Sequence, residues 1–164
     1  MELPKRKPNR LPYFDYSTPG AYFITICTKD RKCIFWENVG ASIARPHKPT
    51  LSRSGKIVEA AIRDITGHYP SITVDHYVVM PNHIHLLLQI NTDEDGRPMV
   101  APTISTVVQQ LKGVVTKQIG QSVWQKLFHD HVIRGEKDYL KIWEYIDTNP
   151  ARWHEDCFFE EDLL

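Results

Sequence analysis

Only three cysteines occur in the 164 residues, an odd number with no Cys-x-x-Cys pair among them, so the chain gives no basis for a disulfide framework. Cys27, Cys33 and Cys157 fit a reducing compartment, and a cytoplasmic protein is expected. No apolar run approaches the roughly 20 residues of a membrane span. The opening Met1–Lys7 has charges with no apolar core behind them, so no signal peptide is expected there. Net charge is zero, which by itself argues against a wholesale electrostatic nucleic-acid binder. Internal repeats and low-complexity tracts are also absent. At 41% hydrophobic content the chain can bury a core without metal or disulfide staples, and a single domain over 1–164 is expected.

The charges are unevenly placed. Lys5, Arg6, Lys7, Arg10, Lys29, Arg31, Lys32, Arg45, Lys48, Arg53 and Lys56 outnumber the early acids, while Glu155, Asp156, Glu160, Glu161 and Asp162 crowd the end. This predicts a basic N-terminal arm over about 1–20 and an acidic tail over about 154–164, compatible with either a basic binding face or a solvated surface.

Aromatic and β-branched residues from Ala21 to Thr28 read as a strand, and Cys33–Trp36 after the polar turn 29–32 as its hairpin partner. Residues 38–50 read as a loop. Ile57, Val58, Ala61, Ile62 and Ile65 recur at helical spacing behind two candidate caps, Ser52 and Ser54. Ile72–Met80 and His83–Ile90 are separated only by Pro81 and Asn82, which predicts an antiparallel pair. After a loop over 91–102, a second helix is predicted over Thr103–Ile119, a strand over Phe128–Arg134 and a third helix over Glu136–Thr148. The resulting order is the split βαβ arrangement of a ferredoxin-like α+β sheet, with helices on one face and the last helix free to cover the other.

His83 and His85 open the most apolar strand. A strand repeats every two residues, so both histidines point to one face while Ile84, Leu86, Leu88 and Ile90 point to the other. Two imidazoles side by side on a stiff scaffold are half of a divalent-ion site, although the bare pair also fits strand-end histidines satisfied by hydrogen bonds. Tyr145 and Asn149, at i and i+4, share one side of the third helix, where an amide oxygen and a phenol would complete such a site. Pro150 disfavours helical geometry at Asn149 and predicts an end or kink there. Leu87 stands where a histidine-triad hydrolase needs a third histidine, and the chain is too short for the eight-stranded barrel of an amidohydrolase.

Several further motifs keep a fixed order: Arg10–Tyr16 with Gly20–Thr25, Met80–His85, Trp124–Lys126 with Asp130–Arg134, and Tyr145–Pro150. Together they resemble the REP-associated tyrosine transposases, a branch of the single-tyrosine HUH endonucleases. The resemblance implies the HUH endonuclease fold with a C-terminal catalytic helix. It also implies His83, His85 and Asn149 as metal ligands, Tyr145 as the catalytic tyrosine, and Mg²⁺ or Mn²⁺ as the ion. Arg10, Lys112, His131 and Arg134 are candidate DNA contacts. The implied activity is that of a transposase that cleaves and rejoins single-stranded, hairpin-bearing DNA such as REP-like palindromes, through a 5′-phosphotyrosine link. The alternative is a catalytically silent hairpin-binding relative. A bacterial protein, associated with the nucleoid when bound to DNA, is expected to act as monomer or homodimer. The chemistry is coherent: a phenol of pKa near 10 is a modest nucleophile at neutral pH, so an ion must make the phosphate more electrophilic.

Overall fold

A computed structural model describes residues 10–37 and 49–159. The predicted arm residues 1–9, the loop residues 38–48 and the tail residues 160–164 lie outside these. Four strands, β1 (Gly20–Cys27), β2 (Ile72–Val79), β3 (His83–Ile90) and β4 (His129–Val132), form one antiparallel sheet in the spatial order β2-β3-β1-β4. The helices α1 (Arg53–Arg63), α2 (Ile65–His68), α3 (Ile104–Ile119) and α4 (Glu136–Thr148) complete the ferredoxin-like α+β fold. Among the described residues, no helix is long and apolar enough to cross a membrane.

The alternation read in β3 sets the layers. Ile84, Leu86, Leu88 and Ile90 join Tyr22, Ile24 and Ile26 of β1 in the main core, with Val58 and Ile62 of α1 and Val107, Val108, Leu111 and Val115 of α3. The opposite face carries a much smaller cluster, in which Leu87 meets Ile142 and Ile146 of α4 and is flanked by Phe23, Val78 and Tyr139. Both β1 and β3 are thus covered on two faces, which explains their nearly continuous apolar sequence.

Ser52, rather than Ser54, caps α1: its Oγ accepts from Gly55 N at 3.1 Å and donates to Ile34 O at 2.6 Å. Gly55 is required here, because a Cβ at that position would stand 2.1 Å from the Phe35 carbonyl oxygen. Thr103 caps α3 by accepting from Thr106 N.

Two features differ from the sequence reading, and a third meets it in part. Cys33–Trp36 does not form a hairpin with β1, because both edges of β1 are taken by β3 and β4. The chain turns through Asp30 and Arg31, both at positive φ, and Phe35 N donates instead to Pro81 O, while Trp36 bridges Leu51. As the sequence reading expected, the α-helix ends before Pro150, at Thr148, although Asn149 keeps helical angles of φ −56° and ψ −44° and leads into a 3₁₀ segment, Asn149–Glu155. Proline is tolerated there because the first turn of a new helix does not use its missing N–H. Finally, β2 is interrupted by a bulge between Val74 and His76. A bulge turns neighbouring side chains to the same face. Asp75 accordingly accepts from the Tyr139 hydroxyl at 2.8 Å, and His76 stacks on Trp143 at 4.4 Å, both on α4.

Candidate metal and nucleophile site

The β1–β3 register places Thr25 opposite His85 and Cys27 opposite His83. Thr25 Oγ1 lies 2.8 Å from His85 Nδ1, and Asn82 Oδ1 lies 2.8 Å from His83 Nδ1. Asn82 is itself held, since its Nδ2 donates to Phe158 O at 2.8 Å. An amide oxygen can only accept, so His83 carries its proton on Nδ1 and keeps a lone pair on Nε2. The Thr25 hydroxyl can donate or accept and so serves either tautomer of His85. Both histidines direct Nε2 into one space, where the two atoms are 3.1 Å apart. Two nitrogens about 2.1 Å from a shared ion stand roughly 3.0 to 3.4 Å apart, so the pair is spaced to chelate.

Burial keeps these ligands neutral. Desolvation holds His83 well below the ordinary histidine range, with its neighbour His85 adding to the effect, and burial lowers His85 to about 3. Both rings are therefore neutral at neutral pH, and each can turn a lone pair to an ion without first losing a charge.

Two oxygens are candidates to join the histidines as donors. Asn149 is buried, and its Oδ1 has no hydrogen-bond partner among the described residues. Asp156, just past the 3₁₀ segment, sets Oδ2 at 3.7 Å from His83 Nε2. The ligand atoms of His83, His85 and Asp156 all lie within 4.8 Å of one another, so the cluster can hold a metal ion. Nitrogens and hard oxygens in such a mixture suit a borderline divalent ion.

Tyr145 enters from α4. Its ring meets His85 at a centroid distance of 5.3 Å and Phe23 at 6.0 Å, both edge-on, and it remains 39% exposed. Its phenol is pushed up to about 12, first by burial and then by the charge of Asp156, while the Asn149 amide opposes the rise. The structure thus brings together three residues singled out from the sequence, His83, His85 and Tyr145, and sets the Asn149 side chain beside Tyr145.

No protein-family model matches the chain. An uncharacterized protein of Haemophilus influenzae is 31% identical over 173 residues, spanning 94% of this chain and 93% of that one. A second protein of the same organism, named for the REP-associated tyrosine transposases, is 26% identical over 84% of this chain and 74% of its own length. The REP-associated tyrosine transposase of Escherichia coli K12 is 29% identical over 84% of this chain and 70% of its own length. A solved structure of a REP-associated tyrosine transposase bound to a REP hairpin superposes with a TM-score of 0.59, at 22% identity over 88% of this chain and 72% of that one. The chain is thus similar to the REP-associated tyrosine transposases over most of its length.

The four residues named for DNA contact in this chain fall into two pairs. Arg10 lies over the Phe128 ring at 4.9 Å and near Tyr16 at 5.7 Å. Lys112 approaches the same Phe128 at 6.0 Å, but its ammonium donates to the carbonyls of Gln125, Lys126 and Leu127 and so pins that loop to α3. His131 Nε2 lies 2.8 Å from Asp138 Oδ2, which also accepts from Arg134 N at 3.3 Å, joining β4 to the start of α4.

Sequence reasoning missed Asp156, Thr25 and Asn82 as parts of this site. Thr25 and Asn82 lie inside the quoted motifs, where a polar residue opposite or beside a buried histidine is the available signal. Asp156 was grouped with the acidic tail. The aromatic residues around it, Trp153, Phe158 and Phe159, are the signal that this stretch packs rather than floats.

Proposed function

We propose that this protein cleaves and rejoins single-stranded DNA bearing a hairpin of the REP type, with Tyr145 as nucleophile and His83, His85 and Asn149 holding Mn²⁺ or Mg²⁺. The observation that carries the reading is the convergence of two neutral, inward-facing imidazole nitrogens 3.1 Å apart with the phenol of Tyr145 against His85. It is supported by the similar E. coli protein, named a REP-associated tyrosine transposase, and by the similar fold solved with a REP hairpin.

The ion, when bound, supplies a Lewis acid that draws charge from the phosphate oxygens and favours the phenolate. His83 and His85 fix its position, because Asn82 and Thr25 hold their rings from behind. Tyr145 loses its proton and its Oη bonds to phosphorus as the bond to the 3′ oxygen breaks. The products are a 5′-phosphotyrosine and a free 3′-hydroxyl. Because the ester retains the bond energy, a 3′-hydroxyl can attack it, release Tyr145 and rejoin DNA without ATP.

Incubation with a single-stranded REP-like hairpin oligonucleotide and Mn²⁺ tests this. The expected result is a protein–DNA adduct that survives a denaturing gel and is lost in Tyr145→Phe. Hairpin binding without adduct at any Mn²⁺ concentration would instead support a silent DNA-binding relative.

A further inference from the structure

We propose that Asp156 is a carboxylate ligand of the ion held by His83 and His85, presented by the segment 156–159, so that ion binding fastens this segment against the histidines. The inference rests on the reading of the histidine pair as an ion site, and it changes that site from a neutral donor set to one carrying a protein charge.

The two oxygens of Asp156 have different surroundings. Oδ1 accepts from Phe158 N at 2.7 Å, which closes a local turn. Oδ2 points to His83 Nε2 at 3.7 Å and finds no hydrogen-bond partner among the described residues, although the side chain is only 1% exposed. A buried carboxylate oxygen without a partner is costly unless a cation meets it. Neutral His83 cannot donate from Nε2, because its proton sits on Nδ1 facing Asn82. A divalent ion between Oδ2 and the two Nε2 atoms satisfies all three.

The segment is built to present this group. Trp153 is anchored in the main core, and Phe159 packs on it at 5.4 Å. Between these anchors, the Phe158 ring covers His83 at 4.6 Å, and the Phe158 carbonyl accepts from Asn82. Asn82 therefore links the back of a ligand histidine to the backbone that carries Asp156. Cys157, between Asp156 and Phe158, is exposed.

Mn²⁺ titration followed by electron paramagnetic resonance, on the full chain, tests the assignment in wild type, Asp156→Asn, Asp156→Ala, His83→Ala and His85→Ala. Both Asp156 variants are expected to weaken Mn²⁺ binding at least tenfold. Their melting temperatures without ion should be no lower than wild type, because an unpartnered buried charge is removed, while the rise produced by Mn²⁺ should shrink. In wild type, Mn²⁺ should slow hydrogen exchange at the amides of Asp156, Phe158 and Phe159, and in Asp156→Asn it should not. Wild-type affinity in the Asp156 variants, with loss in the histidine variants, overturns the carboxylate ligand and leaves the histidine site standing. Wild-type affinity in all four variants overturns the ion site itself. Asp156→Asn changes a single atom and decides alone if Asp156→Ala does not fold.

Discussion

Tyr139 and Tyr145 lie on one helix, and both phenols are pushed up to about 12, for different reasons. After burial, Tyr139 answers to Asp75, to which its hydroxyl is bonded, whereas Tyr145 answers to Asp156 and Asn149 beside the histidines. Their phenylalanine variants should therefore separate. Tyr145→Phe is expected to leave the melting temperature nearly unchanged and abolish the DNA adduct. Tyr139→Phe is expected to cost about 1 kcal/mol of stability through the lost hydrogen bond and to keep the adduct. Reversal of the two adduct results would show that Tyr139 is the nucleophile. The histidines give a pH signature in the ion-free protein. Folded His85 protonates only near 3 and His83 well below its ordinary range, while the unfolded chain takes up both protons near 6.5. Between these values the unfolded state binds more protons, so stability falls as pH drops from about 6.5 toward 3. The urea midpoint should decrease across that window, and His85→Gln should flatten the slope.

At the level of elements, strands and helices were legible wherever one periodicity ran unbroken. The alternation in His83–Ile90 gave both the histidine face and the core face of β3, and the spacing of Ile104 to Val115 gave α3, though not the capping role of Thr103. Legibility failed where a neighbour decided the outcome. Cys33–Trp36 has strand composition, yet β1 had no free edge to pair with it. The bulge in β2 has no sequence mark, yet it turns Asp75 and His76 together toward α4. Ser52 and Ser54 were indistinguishable as caps until Gly55 and Phe35 met. That contact carries its own prediction. Gly55→Ala forces a methyl group into the Phe35 carbonyl, where backbone rather than a flexible side chain must give way. A loss of roughly 2 kcal/mol is expected in chemical denaturation, whereas Gly113→Ala, where nothing lies within 4 Å, should be neutral or stabilising.

On the scale of the whole molecule, the ordered motifs led to the resemblance and the fold, and the i, i+4 relation of Tyr145 and Asn149 sets the amide beside a phenol whose ring meets His85. Asp156 was not legible, because it reaches the site only through the path of the 3₁₀ segment after Pro150, which no spacing rule specifies. The unequal layers have a further consequence. Among the described residues, α3 sinks five buried side chains into the large core, whereas α4 buries only Ile142 and Ile146, against Leu87, with polar anchorage from Asp75 and His76. Cooperative units open in order of what they bury, so α4 should detach in a partial unfolding that leaves the sheet intact. A native-state urea series should show the amides near Ile142 and Ile146 opening with a smaller denaturant slope than those of Ile84 and Leu86. Such an order of opening would put the imidazole pair in the slow, cooperative part of this molecule and Tyr145 in its fast, separable part, so that the proposed nucleophile swings free without dismantling the place where an ion would sit.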